Sequence, residues 1–322
     1  MKILVLGGTR FIGRYFIEQS VLEGHSVTMF NRGITNNASI NNVQFIQGDR
    51  NIGLSLISEK TFDVVLDFSG YIPRHVIDSN NKLKGKIPYY IFISSAYVYQ
   101  KNEILFYDEN SPIVEEYKEP IPVVTKLNYA NLKVSCENVL RNQWTDSLLI
   151  LRPGPVSGIR DHSGKIKYWL DRVSSGSEFI VPGNPERIIQ ILDVKDLVKF
   201  IMILLQNQST GTYNCAGDGI SVRKLLEACR NVTGCYNMPI WVDETFFHLN
   251  KNTLDIEELP FWNNGIDDKV NSEKAKKFGF TNGTIEDMLA DVKHTPIDKN
   301  FDVLIEKNIA LLKLWKQSKI SI

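Results

Sequence analysis

Cysteine is scarce in this 322-residue chain: Cys136, Cys215, Cys229 and Cys235 are its four, with no CxxC pair and no metal-ligand spacing. That argues against a disulfide framework or a zinc module, and no metal site is expected. Free thiols in a reducing cytoplasm are the economical reading. Net charge is missing too. Lys+Arg and Asp+Glu stand at 37 each, so no excess of positive charge is available to gather nucleic acid or an anionic membrane. Long apolar runs are also lacking: residues 200–205 are far too few to span a bilayer. Residues 1–6 are apolar but too short for a signal-peptide core, and they run straight into glycines. What remains is an ordinary globular composition, 43% hydrophobic and 23% charged, with length for one large domain or two unequal ones.

Residues 2–6, 26–30, 43–46, 62–68, 89–94 and 148–151 are apolar and rich in β-branched or aromatic side chains. Such near-continuous runs suit parallel strands covered on both faces. Between the first two, residues 11–23 set Phe11, Ile12, Tyr15, Phe16 and Ser20 on one helical face. Strand and helix in alternation predict an α/β fold, a doubly wound parallel Rossmann sheet over residues 1–152. After Arg152-Pro153-Gly154-Pro155 the rhythm changes. Proline and glycine punctuate, and helical stretches at 165–174, 197–206 and 222–233 predominate. Thr284-Ile285-Glu286-Asp287 has the form of a capping box. Residues 153–322 are expected to form mainly a smaller, helix-rich substrate-binding domain, with segments near 188–214 returning to the Rossmann domain.

Gly7-Gly8-Thr9-Arg10-Phe11-Ile12-Gly13 joins the first strand to the first helix. A glycine-rich turn there lets backbone N–H groups approach a pyrophosphate at the positive end of the helix, and the last glycine lets helix and strand pack closely. A glycine pattern alone is only a tight turn; its place between strand and helix gives it meaning. The expected dinucleotide contacts are Gly7, Thr9, Arg10, Phe11, Ile12 and Gly13, then Asn31 and Arg32 after the second strand. Asp49 and Arg50 follow the third, where Asp49 either accepts from the adenine amino group or is a plain turn residue. Phe68, Ser69 and Gly70 end the fourth. Arg10 stands where a GxxGxxG pattern has glycine, and Asn31-Arg32 where an NAD site offers a carboxylate to the ribose. Two guanidiniums can clamp a 2′-phosphate, so the cofactor is expected to be NAD(P), leaning to NADP; two solvated arginines are the alternative.

Tyr129-Ala130-Asn131-Leu132-Lys133 puts a tyrosine and a lysine on one helical face. An ammonium near a phenol favours the phenolate and lowers a pKa that is otherwise about 10, which makes a usable general acid/base. Ser95, after the fifth strand, can bond the reacting oxygen and orient the tyrosine.

With these motifs the chain resembles the extended short-chain dehydrogenase/reductases, the NAD-dependent epimerase/dehydratase family, and especially a branch with GGTRFIG as its loop. Arg152-Pro153-Gly154-Pro155-Val156, residues 191–197 and Gly211-Thr212-Tyr213-Asn214 extend the likeness over nearly the whole length. The resemblance implies Ser95, Tyr129 and Lys133 as the catalytic residues, Tyr129 exchanging a proton while the nicotinamide exchanges a hydride. It also implies Pro153 at the cofactor and a soluble, cytoplasmic enzyme that can dimerise. Dehydratases of this type carry an acidic pair just after the catalytic serine; here those positions are Ala96 and Tyr97. Epimerisation, oxidation or reduction remains, on a nucleotide sugar or similar polyhydroxylated small molecule. Arg152, Arg160 and Arg187 are candidates for a substrate diphosphate, with plain ion pairing as the equal alternative. Two other functions compete. One is RNA binding, since the loop is also similar to that of chloroplast stem-loop-binding proteins; the balanced charge and the retained YxxxK oppose it. The other is a dinucleotide-binding regulator without turnover.

Overall fold

The apolar run at the N-terminus is a strand, β1 (Lys2–Leu6), whose last four side chains are buried. It is followed by α1 (Phe11–Leu22), β2 (Ser26–Asn31), β3 (Val43–Gln47), α2 (Ser55–Ser58), β4 (Val64–Asp67), α3 (Pro73–Leu83), β5 (Tyr90–Ile93), α4 (Tyr129–Gln143) and β6 (Leu148–Pro153). The strand Gly211–Cys215 completes a seven-stranded sheet in the order Gly211–Cys215, β6, β5, β4, β1, β2, β3. Every neighbouring pair is parallel. This is the doubly wound Rossmann sheet that the alternation of strand and helix predicts. The computed structural model describes residues 1–34, 40–100, 106–118, 123–262, 270–296 and 300–320.

The chain divides into two units. One comprises Met1–Gly154, Val194–Ala216 and Lys269–Thr281; the other comprises Pro155–Asp193, Gly217–Asp268 and Asn282–Ile322. In the first, Leu4, Leu6, Val65, Tyr90, Phe92 and Ile150 are core residues of the sheet. The strand order turns at β1, which has β2 on one side and β4 on the other. In open α/β sheets the crevice beyond the strand ends at such a turning point is where ligands bind. The buried stripe of α1 is Gly13, Phe16, Ile17 and Ser20, spaced i, i+3, i+4, i+7. It lies about a residue away from the expected face, because Gly13 packs on the loop and turns Phe11, Ile12 and Tyr15 partly outward.

The second unit holds the helices Lys165–Ser174, Val222–Thr233, Ile285–Val292 and Asn300–Ile320. Its core includes Trp169, Phe179, Leu225, Phe247, Trp262 and Leu289. Of the stretch expected to return to the Rossmann domain, residues 194–214 lie in the first unit, 211–215 as a strand of its sheet, whereas 188–193 lie in the second. Ile188–Gln190 pairs antiparallel with Gly219–Ser221, and Leu192–Asp193 pairs with Val156–Ser157. The reason is packing: Ile189 and Ile191 belong to the core of the second unit. Thr284 caps its helix, accepting from the Asp287 amide at 3.1 Å, but the Asp287 carboxylate takes the Thr284 hydroxyl at 2.7 Å. Aspartate is one methylene shorter than the glutamate of a full capping box. Among the described residues no helix is long and apolar enough to cross a membrane.

Candidate active site

The glycine loop is shaped by contacts that admit no side chain. Gly8 has φ +80°, and a Cβ there would stand 2.6 Å from Ile17 Cδ1 and 2.8 Å from Val5 Cγ1. A Cβ on Gly13 would meet Gly8 Cα at 2.6 Å. The helix therefore starts directly against the strand exit. Arg10, its N-cap residue, makes no side-chain capping bond, and the first turn carries no acidic residue. The positive end of the helix dipole therefore faces the loop with no carboxylate to offset it, a place that suits an anion.

The loop walls a cavity of about 320 Å³. Of the expected contacts, Gly7, Thr9, Arg10, Asn31, Arg32, Asp49, Arg50, Phe68 and Ser69 line it, whereas Phe11, Ile12, Gly13, Gly70 and Pro153 do not. Gly13 and Gly70 act from behind the wall, by allowing close packing. Asn31 braces the loop: its amide donates to Gly7 O at 3.3 Å, and its Oδ1 accepts from Gly33 N at 2.9 Å. Arg10 and Arg32 are exposed along the wall. Asp49 accepts from the backbone and side chain of Asn51, and these bonds, with Arg32 nearby, hold its carboxyl below the usual range. The glycines, the uncapped helix end and the flanking guanidiniums fit a dinucleotide.

Arg50 reaches the cavity wall, and both of its terminal guanidinium nitrogens are bonded inside the protein. It grips both oxygens of Asp67 at 2.9 and 2.8 Å and also donates to Ser69 Oγ, His75 O and Ser79 Oγ. Asp67 is wholly buried, and it accepts further from the Ser69 amide at 2.9 Å and the Tyr90 hydroxyl at 2.8 Å. Burial alone would discharge both partners. Their contact outweighs it, holding Asp67 below the carboxylate range and Arg50 above its ordinary value.

Tyr129 opens α4, and Lys133 lies one turn on, as the spacing requires. Ser95 stands just past the end of β5, near enough to the Tyr129 phenol to favour its charged form, and accepts from the Tyr97 amide at 3.2 Å. Lys133 is buried; its Nζ donates to Gly70 O at 3.0 Å and to Ile93 O at 2.8 Å. That Nζ also lies over the rings of Phe92, Tyr71 and Tyr129, at 4.7, 5.1 and 5.9 Å. The three residues are thus brought together. The expected lowering of the tyrosine pKa is not found. Burial pushes the Tyr129 phenol up, and the nearby Ser95 hydroxyl opposes it without winning. Lys133 is turned to two carbonyls, and burial pulls its ammonium down.

The three arginines suggested for a diphosphate fare differently. Arg152 is buried and paired with the fully buried Glu137, at 3.0 Å from Nε and 2.6 Å from Nη2, and it donates to Tyr99 Oη at 3.1 Å. It is a strut of the first unit, because carboxylate and phosphate suit the same guanidinium fork and the carboxylate is already there. Arg187 lies 3.6 Å from Glu244 and over the Trp262 ring at 5.4 Å. Arg160 lines a cavity of about 290 Å³ in the second unit, beside His162 and Lys167.

The sequence profile of the NAD dependent epimerase/dehydratase family matches residues 3–216. The chain belongs to this family. Among curated relatives, the chloroplast stem-loop binding protein of 41 kDa b from Arabidopsis thaliana is 28% identical over 255 residues, covering 72% of this chain and 63% of the relative. The chain therefore spans less than two thirds of that relative's length. UDP-glucose 4-epimerase of Corynebacterium glutamicum is 22% identical over 275 residues, 73% of this chain and 81% of the relative. The solved UDP-glucose 4-epimerase of Thermus thermophilus, in complex with NAD, matches with a TM-score of 0.67 at 18% identity, over 91% of this chain and 98% of its own. At that identity the likeness establishes the shared fold.

Three residues of this epimerase/dehydratase-family chain escaped sequence reasoning. Asp67 and Tyr90 hide inside apolar strand runs, and nothing in their spacing points to Arg50. Glu137 was findable: it follows Lys133 by the same four residues that separate Lys133 from Tyr129, and so extends one helical face.

Proposed function

We propose that this chain is an NAD(P)-dependent epimerase or oxidoreductase that acts on a nucleotide sugar or similar polyhydroxylated substrate, with Tyr129 as the proton carrier. The observation that carries this reading is the buried Lys133 ammonium 5.9 Å from the Tyr129 ring, with Ser95 near the phenol, in the same unit as the glycine-walled cavity. A bound dinucleotide supplies the hydride acceptor or donor. Backbone donors of the 7–13 loop and the α1 N-terminus hold its pyrophosphate. Arg10 and Arg32 favour a 2′-phosphate, hence NADP. Ser95 orients the substrate oxygen. Tyr129 rests protonated, since burial raises its pKa, and so is ready to give its proton to an oxygen that gains a hydride on carbon. The opposite direction needs the positive charge of Lys133 as the phenolate forms. Ala96 and Tyr97 offer no acidic pair for elimination of water, which favours redox or epimerising chemistry over dehydration.

The test is a titration with NAD and NADP followed by a nucleotide-sugar screen, in wild type and Tyr129→Phe. The variant should keep dinucleotide affinity and lose turnover by about 10² or more. Failure to bind either dinucleotide, or wild-type turnover in the variant, overturns the reading. The identity to a stem-loop binding protein favours RNA binding as a second reading. A salt-dependent RNA shift at physiological ionic strength, unaffected by NADP, would support it.

A further inference from the structure

Lys133 is held by two main-chain carbonyls. One of them, Gly70 O, belongs to the 68–70 turn, whose first two residues wall the dinucleotide cavity. The sheet holds only the first residue of that turn, Phe68 N donating to Leu6 O at 3.1 Å. Asp67 holds the next. Its Oδ1 takes the Ser69 amide at 2.9 Å, while Arg50, gripping the same carboxylate, donates to Ser69 Oγ at 2.9 Å. Gly70 then lies so close that a Cβ on it would stand 3.0 Å from Asp67 Oδ2 and 2.7 Å from the Phe92 ring. That ring in turn faces the Lys133 ammonium. Carboxylate, turn, ring and ammonium form one packed stack.

Stability does not explain this arrangement. Replacing a buried ion pair by apolar residues of similar size is often neutral or better, and β4 is otherwise Val64, Val65 and Leu66. A carboxylate is required only if something must be bonded at this point, and the bonded things are the turn and its neighbours.

We propose that Asp67, clamped by Arg50 and Tyr90, is a positioning residue for Lys133, fixing the 68–70 turn so that the Gly70 carbonyl meets the ammonium while Ser69 faces the dinucleotide cavity. The proposal rests on the reading above in one respect, that Lys133 serves bound dinucleotide. Asp67 also acts through charge. Burial pulls the Lys133 ammonium down, and the carboxylates of Asp67 and Glu137 oppose this, with the Cys136 thiol and the Tyr71 and Tyr129 rings also around it.

The test uses the full chain and the paired variant Arg50→Gln with Asp67→Asn, which removes both buried charges together. One readout is the pH titration of Lys133 by NMR of lysine labelled at Cε, assigned by the signal lost in Lys133→Met. Its midpoint should fall by half a pH unit or more. The other is affinity for NADP, which should weaken about tenfold. Adding Lys133→Met to the pair should then weaken it little further, because both act through one ammonium. A folded pair variant with an unchanged Lys133 titration overturns the proposal, as does full additivity of the two losses. If wild type binds neither NAD nor NADP, the functional reading falls, and the Lys133 titration still decides the positioning. Should the pair variant not fold, Arg50→Lys takes its place. It keeps the charge but cannot grip both oxygens, and the same shift in a smaller amount is expected, no shift being the refuting result.

Discussion

Arg152→Met separates a strut from a substrate ligand. The guanidinium makes two bonds to Glu137, which is 0% exposed. Removing it leaves the carboxylate in the interior with Ser94 Oγ at 2.6 Å and Arg141 at 3.2 Å. Breaking a buried pair by deleting one partner costs about 3–5 kcal/mol. Arg141 still pairs with the same oxygen, although its side chain is 42% exposed and screened by solvent, so the lower end, about 3 kcal/mol, is expected. Urea unfolding at pH 7 measures it. Removing both charges, as Arg152→Met with Glu137→Leu, should recover more than half of the loss. Acid gives an independent sign. In wild type the Glu137 pKa is held low; burial opposes this, and the Arg152 hydrogen bonds and charge outweigh it. Its contribution is therefore present above the unfolded carboxylate pKa and is lost as pH falls through the folded one. In Arg152→Met the carboxylate keeps only the half-exposed Arg141 and Ser94 and holds its proton more readily than in wild type, so the deficit should shrink on acidification. A deficit below about 1 kcal/mol at pH 7, joined to a raised KM for substrate, would refute the strut and return Arg152 to the substrate.

Gly8→Ala puts a side chain at φ +80° against Ile17 and Val5; a loss of about 2–4 kcal/mol from backbone strain and overpacking is expected in urea unfolding, and wild-type stability would refute the tight strand–helix contact. Burial, then the charge of Arg50, lowers the His75 pKa to about 4. The unfolded chain binds that proton first, so stability should decline as pH falls from about 6.5 towards 4, and the slope should flatten in His75→Gln when urea midpoints are compared at the two ends. Arg32→Ala should weaken NADP about tenfold, as loss of a charged hydrogen bond does, and leave NAD unchanged; equal affinities of wild type for NAD and NADP would remove the clamp.

The parallel sheet was legible because its strands are covered on both faces, so each must be a short, nearly unbroken apolar run. The tyrosine–lysine pair was legible because helical neighbours are fixed by local spacing. What escaped depends on burial and on pairing across the fold. Arg50 and Asp67 are 17 residues apart on different strand exits, and no periodicity joins them. Arg152 carries the same chemistry toward phosphate as toward carboxylate; only the buried Glu137 decides between them. The Tyr129 pKa shows the same lesson in electrostatics. Sequence supplies the ammonium that would lower it, but not the desolvation that raises it, nor the two carbonyls that turn the ammonium aside. Polar residues in strand runs therefore warrant a search for a distant charge of opposite sign before a ligand role is given to that charge. In this chain such a search would have set Arg50 against Asp67 and Arg152 against Glu137, and left Arg10 and Arg32 as the exposed arginines on the wall of the glycine-loop cavity.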